Sequence, residues 1–300
     1  MKSKFATKAE YMALISIIKI ASIAPKSWLY GFLRGVAWLF YRVSKRRRNI
    51  TIDNLQQAYP NKEREEILQL SKSVYSELSK TLADILFMLS GRVQLDDLLI
   101  NKEEAIAKLK ALKQNHSHGF VFMGAHFSNW ELAPLFASKY GFPMVVIGRE
   151  GDNQLIDKKI IIPFREAYGN SAIYKKNAGI TMVKELKRGG SLGVLIDQKV
   201  NKSNGFLVNF FGRKAFTTNS IAMLKLKLNP CIIPISIPRT SEGRYRLDIG
   251  EPIEYIAEER DEEKQKLLSM TERYNQALED MIRAYPQQWF WMHDRWNQRV

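Results

Sequence analysis

The sequence predicts an α/β fold, a largely parallel central sheet flanked by helices, preceded by a membrane-associating helical segment. Three observations carry that prediction. Short β-rich runs at 119–125, 143–148, 191–196 and 230–237 alternate with helical stretches, the pattern of βαβ units. The residues that close these runs are unusually polar, as expected where an open parallel sheet binds ligands beyond its strand ends. Ahead of them lie two apolar stretches interleaved with aromatic and basic residues.

Those two stretches, 11–24 and 28–41, are interrupted by Lys19 and Arg34 and divided by Pro25 and Lys26. Neither reaches the roughly 18 uninterrupted apolar residues of a spanning helix, and the mixture suits helices that lie in a membrane interface. A cleaved signal peptide ending near Ala24 and a pair of ordinary core helices are the competing readings; Lys19 speaks against the first. The basic run Lys45 to Arg48 suits anionic headgroups on a cytoplasmic face. This gives a division into a membrane-associating segment, 1–43, and a single α/β domain, 44–300. Within the domain, Ile67, Leu70, Val74, Leu78, Leu82 and Ile85 recur at helical spacing and predict a long helix over 62–90. The amphipathic segment 260–285 predicts a late helix, followed by the aromatic tail Trp289 to Trp296, a second candidate for membrane contact.

Composition narrows the partners. A chain of 300 residues, 45% hydrophobic, buries a sizeable core. Its formal charge of +15 asks for an anionic partner: nucleic acid, anionic lipid or an acidic carrier protein. No nucleic-acid-binding module is recognisable, so nucleic acid is not expected. Cys231 is the only cysteine, which excludes an intramolecular disulfide and a cysteine zinc cluster. His116, His118 and His126 with Glu131 give no recognised zinc spacing, and no metal is expected.

Three strand ends carry the candidate chemistry: His126 after 119–125, Arg149 after 143–148, and Asp197 with Gln198 after 191–196. Glu131 follows His126 by five residues, about 140° apart on a continuous helix, so the two meet only if His126 lies in the turn before that helix. Ser128 and Glu131 at capping-box spacing support that placement, and a capping box by itself is the plainer reading of Glu131. With the carboxylate within reach, His126 is expected to accept the proton of an attacking hydroxyl while Glu131 orients the ring. No serine or cysteine nucleophile is then needed.

The segment Gly-Ala-His126-Phe-Ser-Asn-Trp-Glu131 resembles the His-x4-Asp/Glu motif of glycerolipid acyltransferases, and its flanks resemble the late acyltransferases of lipid A biosynthesis. Three further blocks follow in that family's order. Gly148-Arg149-Glu-Gly-Asp-Asn153-Gln-Leu-Ile-Asp157 is similar to the second. Val194-Leu-Ile-Asp197-Gln198, with Phe210-Phe-Gly-Arg213 and Thr217-Thr218, is similar to the third. Trp291-Met-His-Asp-Arg295-Trp-Asn-Gln-Arg299 is similar to the last.

The resemblance implies a glycerolipid acyltransferase-like fold and O-acyl transfer from an acyl carrier protein thioester, with no other cofactor, to a hydroxyl of a Kdo-lipid A type precursor. The implied partners are acyl carrier protein, an anionic glycolipid acceptor and the cytoplasmic face of the inner membrane. The implied residues are His126 and Glu131 as catalytic pair, Arg149 as a phosphate or oxyanion contact, and Asn153, Asp197, Gln198 and Arg295 in substrate binding. The chain departs from the family at Lys199 to Gly205, where many relatives place an acidic residue and a glycine, and at Asp294, where a basic residue is common. An acyltransferase or lipid hydrolase acting on another membrane glycolipid or phospholipid is the alternative, since the same histidine activates water equally well.

Overall fold

A computed structural model describes residues 3–116, 118–175, 178–254 and 260–297; Arg299 lies outside them. In chain order the strands are β1 (Phe120–Gly124), β2 (Met144–Gly148), β3 (Ser171–Tyr174), β4 (Ser191–Leu195), β5 (Gly205–Phe210), β6 (Arg213–Thr218), β7 (Cys231–Ser236) and β8 (Asp248–Ile249). Six of them form one sheet in the order β3-β2-β4-β1-β7-β8, parallel except for the β7–β8 pair. The four strands expected from β-rich runs are its four innermost. β5 and β6 form a separate hairpin whose Phe211 and Gly212 both take positive φ, as a two-residue turn between right-twisted strands requires.

The helices are α1 (Lys4–Ile23), α2 (Lys26–Val43), α3 (Lys45–Ala58), α4 (Arg64–Leu89), α5 (Lys102–Asn115), α6 (Leu132–Lys139), α7 (Gln154–Ile156), α8 (Ile162–Arg165), α9 (Ala178–Lys187), α10 (Ser220–Leu228) and α11 (Glu263–Ala284). A π-helical turn, Asp157–Ile161, joins α7 to α8. Because strand side chains alternate, the sheet presents two apolar faces. Val121, Met123, Leu192, Val194 and Ile232 pack toward α9, α10 and α11, while Phe120, Phe122, Met144, Ile233 and Ile235 pack toward α5 and α6.

The expected helix over 62–90 is α4, started by a capping box of Glu63 and Glu66. Its apolar stripe drifts along its length. Ile67 and Val74 are buried, but Leu82 is exposed while Ala83, Leu86 and Phe87 turn inward, because they meet Ala21 of α1 and Leu29 of α2. Both stretches flanking Pro25 are therefore helices docked on α4 by one face. Their other faces leave Phe5, Met12, Ile17, Ile20, Ile23, Trp28, Phe32, Trp38 and Leu39 exposed. Among the described residues no helix is long and apolar enough to cross a membrane.

One expectation is corrected by packing. The aromatic tail offers no surface for membrane contact: Trp289, Trp291 and Trp296 are buried against Phe210 and Phe211 of the hairpin. The basic run keeps Lys45, Arg46 and Arg47 exposed, while Arg47 also donates to the Met292 carbonyl and the Arg48 guanidinium lies over the Tyr41 ring.

Candidate active site

Sheet register assembles the central pair. β1 and β4 are neighbours with Gly124 opposite Leu195, so the second residue beyond each strand, His126 and Asp197, arrives at the same place. The Ile196 N–H donates to the Gly124 carbonyl at 3.2 Å and carries the pairing one step past the strand ends. Asp197 Oδ1 accepts from His126 Nδ1 at 2.8 Å, and Oδ2 accepts from the His126 backbone N–H at 3.0 Å and the Trp289 indole at 2.8 Å. Burial alone would raise the Asp197 pKa, but the His126 charge and these donors outweigh it and hold the carboxyl at about 2. An ionised Asp197 fixes the ring proton on Nδ1 and leaves Nε2 as the proton acceptor. His126 keeps 24% of its side chain exposed, on the wall of a cavity.

The expected partner of His126 is elsewhere. Glu131 forms a two-bond fork with Arg165, Nε to Oε2 at 2.8 Å and Nη2 to Oε1 at 2.6 Å, and accepts from the Trp130 indole at 3.2 Å. That hydrogen bonding, offset in part by burial, raises the Arg165 pKa. The capping box is not formed either. Ser128 takes φ 51°, its hydroxyl is buried without a partner among the described residues, and α6 starts only at Leu132, with Glu131 as a cap residue making no side-chain cap bond. The positive φ reflects the turn that brings the chain off β1 and back over its end.

The carboxyl-terminal segment clamps that turn. Phe127 bridges Trp289, the Ser128 N–H donates to the Gln288 carbonyl at 2.7 Å, and the Phe290 N–H donates to the His126 carbonyl at 3.0 Å. His293 accepts from the Lys199 N–H at 3.0 Å and so holds the loop after Gln198; burial pushes its pKa down to about 4 and keeps it neutral.

The cavity, about 340 Å³, opens at the carboxyl ends of β1, β2, β4 and β7 and runs between the sheet and α6. His126, Trp130, Glu131, Arg149, Arg165 and Gln198 line its mouth; its depth is apolar. Gly148 makes room for the Arg165 guanidinium, since a β-carbon there would lie 2.9 Å from Nη1.

The remaining expected residues divide. Arg149 is at the rim, 74% exposed and paired with Asp152 at 3.0 Å. Gln198 lines the mouth. Asn153 does not line the cavity: it donates to the Thr7 carbonyl at 2.9 Å and to Glu10 at 2.8 Å, and accepts from the Leu155 and Ile156 N–H groups. Arg295 is fully buried and does not line it either. It donates to the Phe216 carbonyl at 2.6 Å and the Thr217 hydroxyl at 2.5 Å beneath the Phe210 ring, and burial lowers its pKa to about 10. Sequence reasoning missed Arg165, Lys175, which also lines the cavity, and Trp289; the first two follow no motif, and Trp289 sits in a run that looked like an interfacial tail. His116 and His118 lie at the amino end of β1, remote from His126 at the other end.

Known proteins resemble the chain from end to end. A family described as bacterial lipid A biosynthesis acyltransferase matches residues 2–298. A lipid A biosynthesis acyltransferase of Haemophilus influenzae is 27% identical, covering 92% of this chain and 93% of its own length. From Escherichia coli, a lipid A biosynthesis palmitoleoyltransferase is 24% identical, covering 92% and 93%, and a lauroyltransferase 24% identical, covering 95% and 90%. Whole-length agreement of this kind, over the segments that deliver His126, Asp197 and Glu131, shows that the chain belongs to the bacterial lipid A biosynthesis acyltransferase family.

Proposed function

We propose that the protein transfers a fatty acyl group from an acyl carrier protein thioester to a hydroxyl of a Kdo-lipid A type precursor, with His126 as general base. His126 Nε2 takes the hydroxyl proton as the oxygen attacks the thioester carbonyl. The tetrahedral intermediate then collapses with cleavage of the C–S bond, and the imidazolium returns its proton to the departing thiolate. Asp197 holds the ring tautomer and stabilises the imidazolium, the part for which Glu131 was expected. Glu131 instead fixes Arg165, a cation placed at the cavity mouth to meet the oxyanion or an acceptor phosphate. Arg149 and Gln198 contact the acceptor at the rim. The scheme calls for no cofactor beyond the donor.

The observation that carries this reading is the His126–Asp197 pair at the mouth of an apolar cavity, in a chain of this family. Acceptor and carrier are both anionic, which suits the charge of +15. The exposed apolar faces of α1 and α2 support seating on the cytoplasmic face of the inner membrane, where the acceptor is presented. Relatives of equal identity bear the names of different acyl groups, so overall similarity does not select one.

Mass spectrometry of lipids after incubation with acyl carrier protein thioesters and candidate acceptors tests donor, acceptor and reaction together. An acylated lipid A precursor is expected, formed by the wild type and lost in His126→Ala. Free fatty acid without an acylated lipid would make the protein a hydrolase instead.

A further inference from the structure

The depth of the cavity follows from side chains the sheet omits. On the α6 side, register places Gly193 of β4 between Phe122 of β1 and Val146 of β2, in the middle of an interior strand. A residue there ordinarily fills the space beneath the covering helix. Gly193 leaves it open and is itself partly accessible, because the cavity reaches it. Gly124 and Gly148, two residues on from Phe122 and Val146, lie on the same face and line the same cavity. Glycine weakens a strand interior and marks a close approach: Gly148 makes room for Arg165 and Gly124 for the Ile235 carbonyl, 3.1 Å from where its β-carbon would lie, which leaves Gly193 as the one that opens the depth.

Met144 closes the inner end. It is buried and lines the cavity, and a β-carbon built on Gly193 would lie 2.8 Å from its Sδ and 3.7 Å from Val146 Cγ2. The thioether therefore lies across the notch that Gly193 leaves. From Gly148 at the mouth to Met144, four residues of strand give a depth of about 13 Å.

We infer that Gly193 and Met144 form the floor of an acyl-chain pocket and set the chain length the protein accepts, an assignment that rests on the acyl-transfer reading above. A chain too long for the floor must displace Met144, and one too short leaves apolar surface unfilled. A single methylene in such a pocket discriminates by about 10- to 200-fold in kcat/KM.

The test is competition among acyl carrier protein thioesters of increasing even chain length, with products resolved by mass spectrometry. Gly193→Ala pushes the thioether into the cavity and is expected to lower use of the longest accepted chain, relative to the next shorter, by about tenfold or more. Met144→Ala, or the milder Met144→Val, is expected to shift preference the opposite way. The double variant Gly193→Ala with Met144→Ala should return toward wild type, since the added methyl takes space the thioether vacates. Opposite shifts that cancel cannot come from lost stability; an unchanged order, or the same shift in both single variants, overturns the assignment. Displacement of a fluorescent fatty acid by unlabelled acids of each length reads the same floor without turnover. Opposite length shifts there, with no transfer by the wild type, would uphold the floor and sink the acyl-transfer reading. Displacement indifferent to length in the wild type would sink the floor whatever the transfer result.

Discussion

His126 and Asp197 each stand two residues past a strand end, and nothing in the chain between them announces that the strands are neighbours. The sequence showed both as polar strand ends on one edge of a sheet but not which strand lies beside which. Local spacing therefore favoured Glu131, whose separation from His126 within one motif looked like pairing. The difference is testable in kinetics. Asp197→Asn should lower kcat by roughly 10³ or more with KM little changed, because the tautomer and the imidazolium lose their support. Glu131→Gln should act through Arg165, so that Glu131→Gln and Arg165→Lys are non-additive, coupled by more than about 0.5 kcal/mol in a double-mutant cycle on kcat/KM. Wild-type turnover by folded Asp197→Asn would return Glu131 to the role the motif suggested.

Among elements, those with strong periodicity were legible. The four inner strands, α4 and α11 fall within a few residues of the expected spans, since each is defined by apolar spacing that a core-facing element must have. The start of α6 was not, because Ser128 and Glu131 copy a capping box while the backbone turns through a positive φ at Ser128. Asn153 is the converse case, a cap that resemblance had placed in substrate binding. Its side chain caps the turn at Leu155 and Ile156 and at the same time grips α1 at Thr7 and Glu10. Asn153→Ala is expected to cost about 1–2 kcal/mol in urea unfolding, with α1 becoming more open to limited proteolysis. Equal stability and equal proteolysis would show that the cap carries no load.

For the molecule as a whole, the charge and the two leading apolar stretches pointed to an anionic membrane, while the way those stretches dock on α4 depended on tertiary contacts no pattern specifies. Removing residues 1–43 would uncover Ala83, Leu86 and Phe87, and so confuses attachment with stability. Replacing the exposed Trp28, Phe32, Trp38 and Leu39 by glutamine avoids that, each change being expected to alter stability by within about 0.5 kcal/mol. Flotation with anionic vesicles should then fall sharply at low and high salt alike; undiminished binding would put the membrane contact on another surface. One further consequence follows from the clamp on His126. The groups that pin its turn, Gln288, Trp289 and Phe290, come after β1, β4 and β7 in the chain. A ribosome that has made β1, β4 and even β7 holds a histidine and an aspartate with no indole between them and no bridge over the turn. Translation thus completes the site only once residues 288–290 have followed the whole sheet, and a growing chain that has reached β7 carries an unfinished pair.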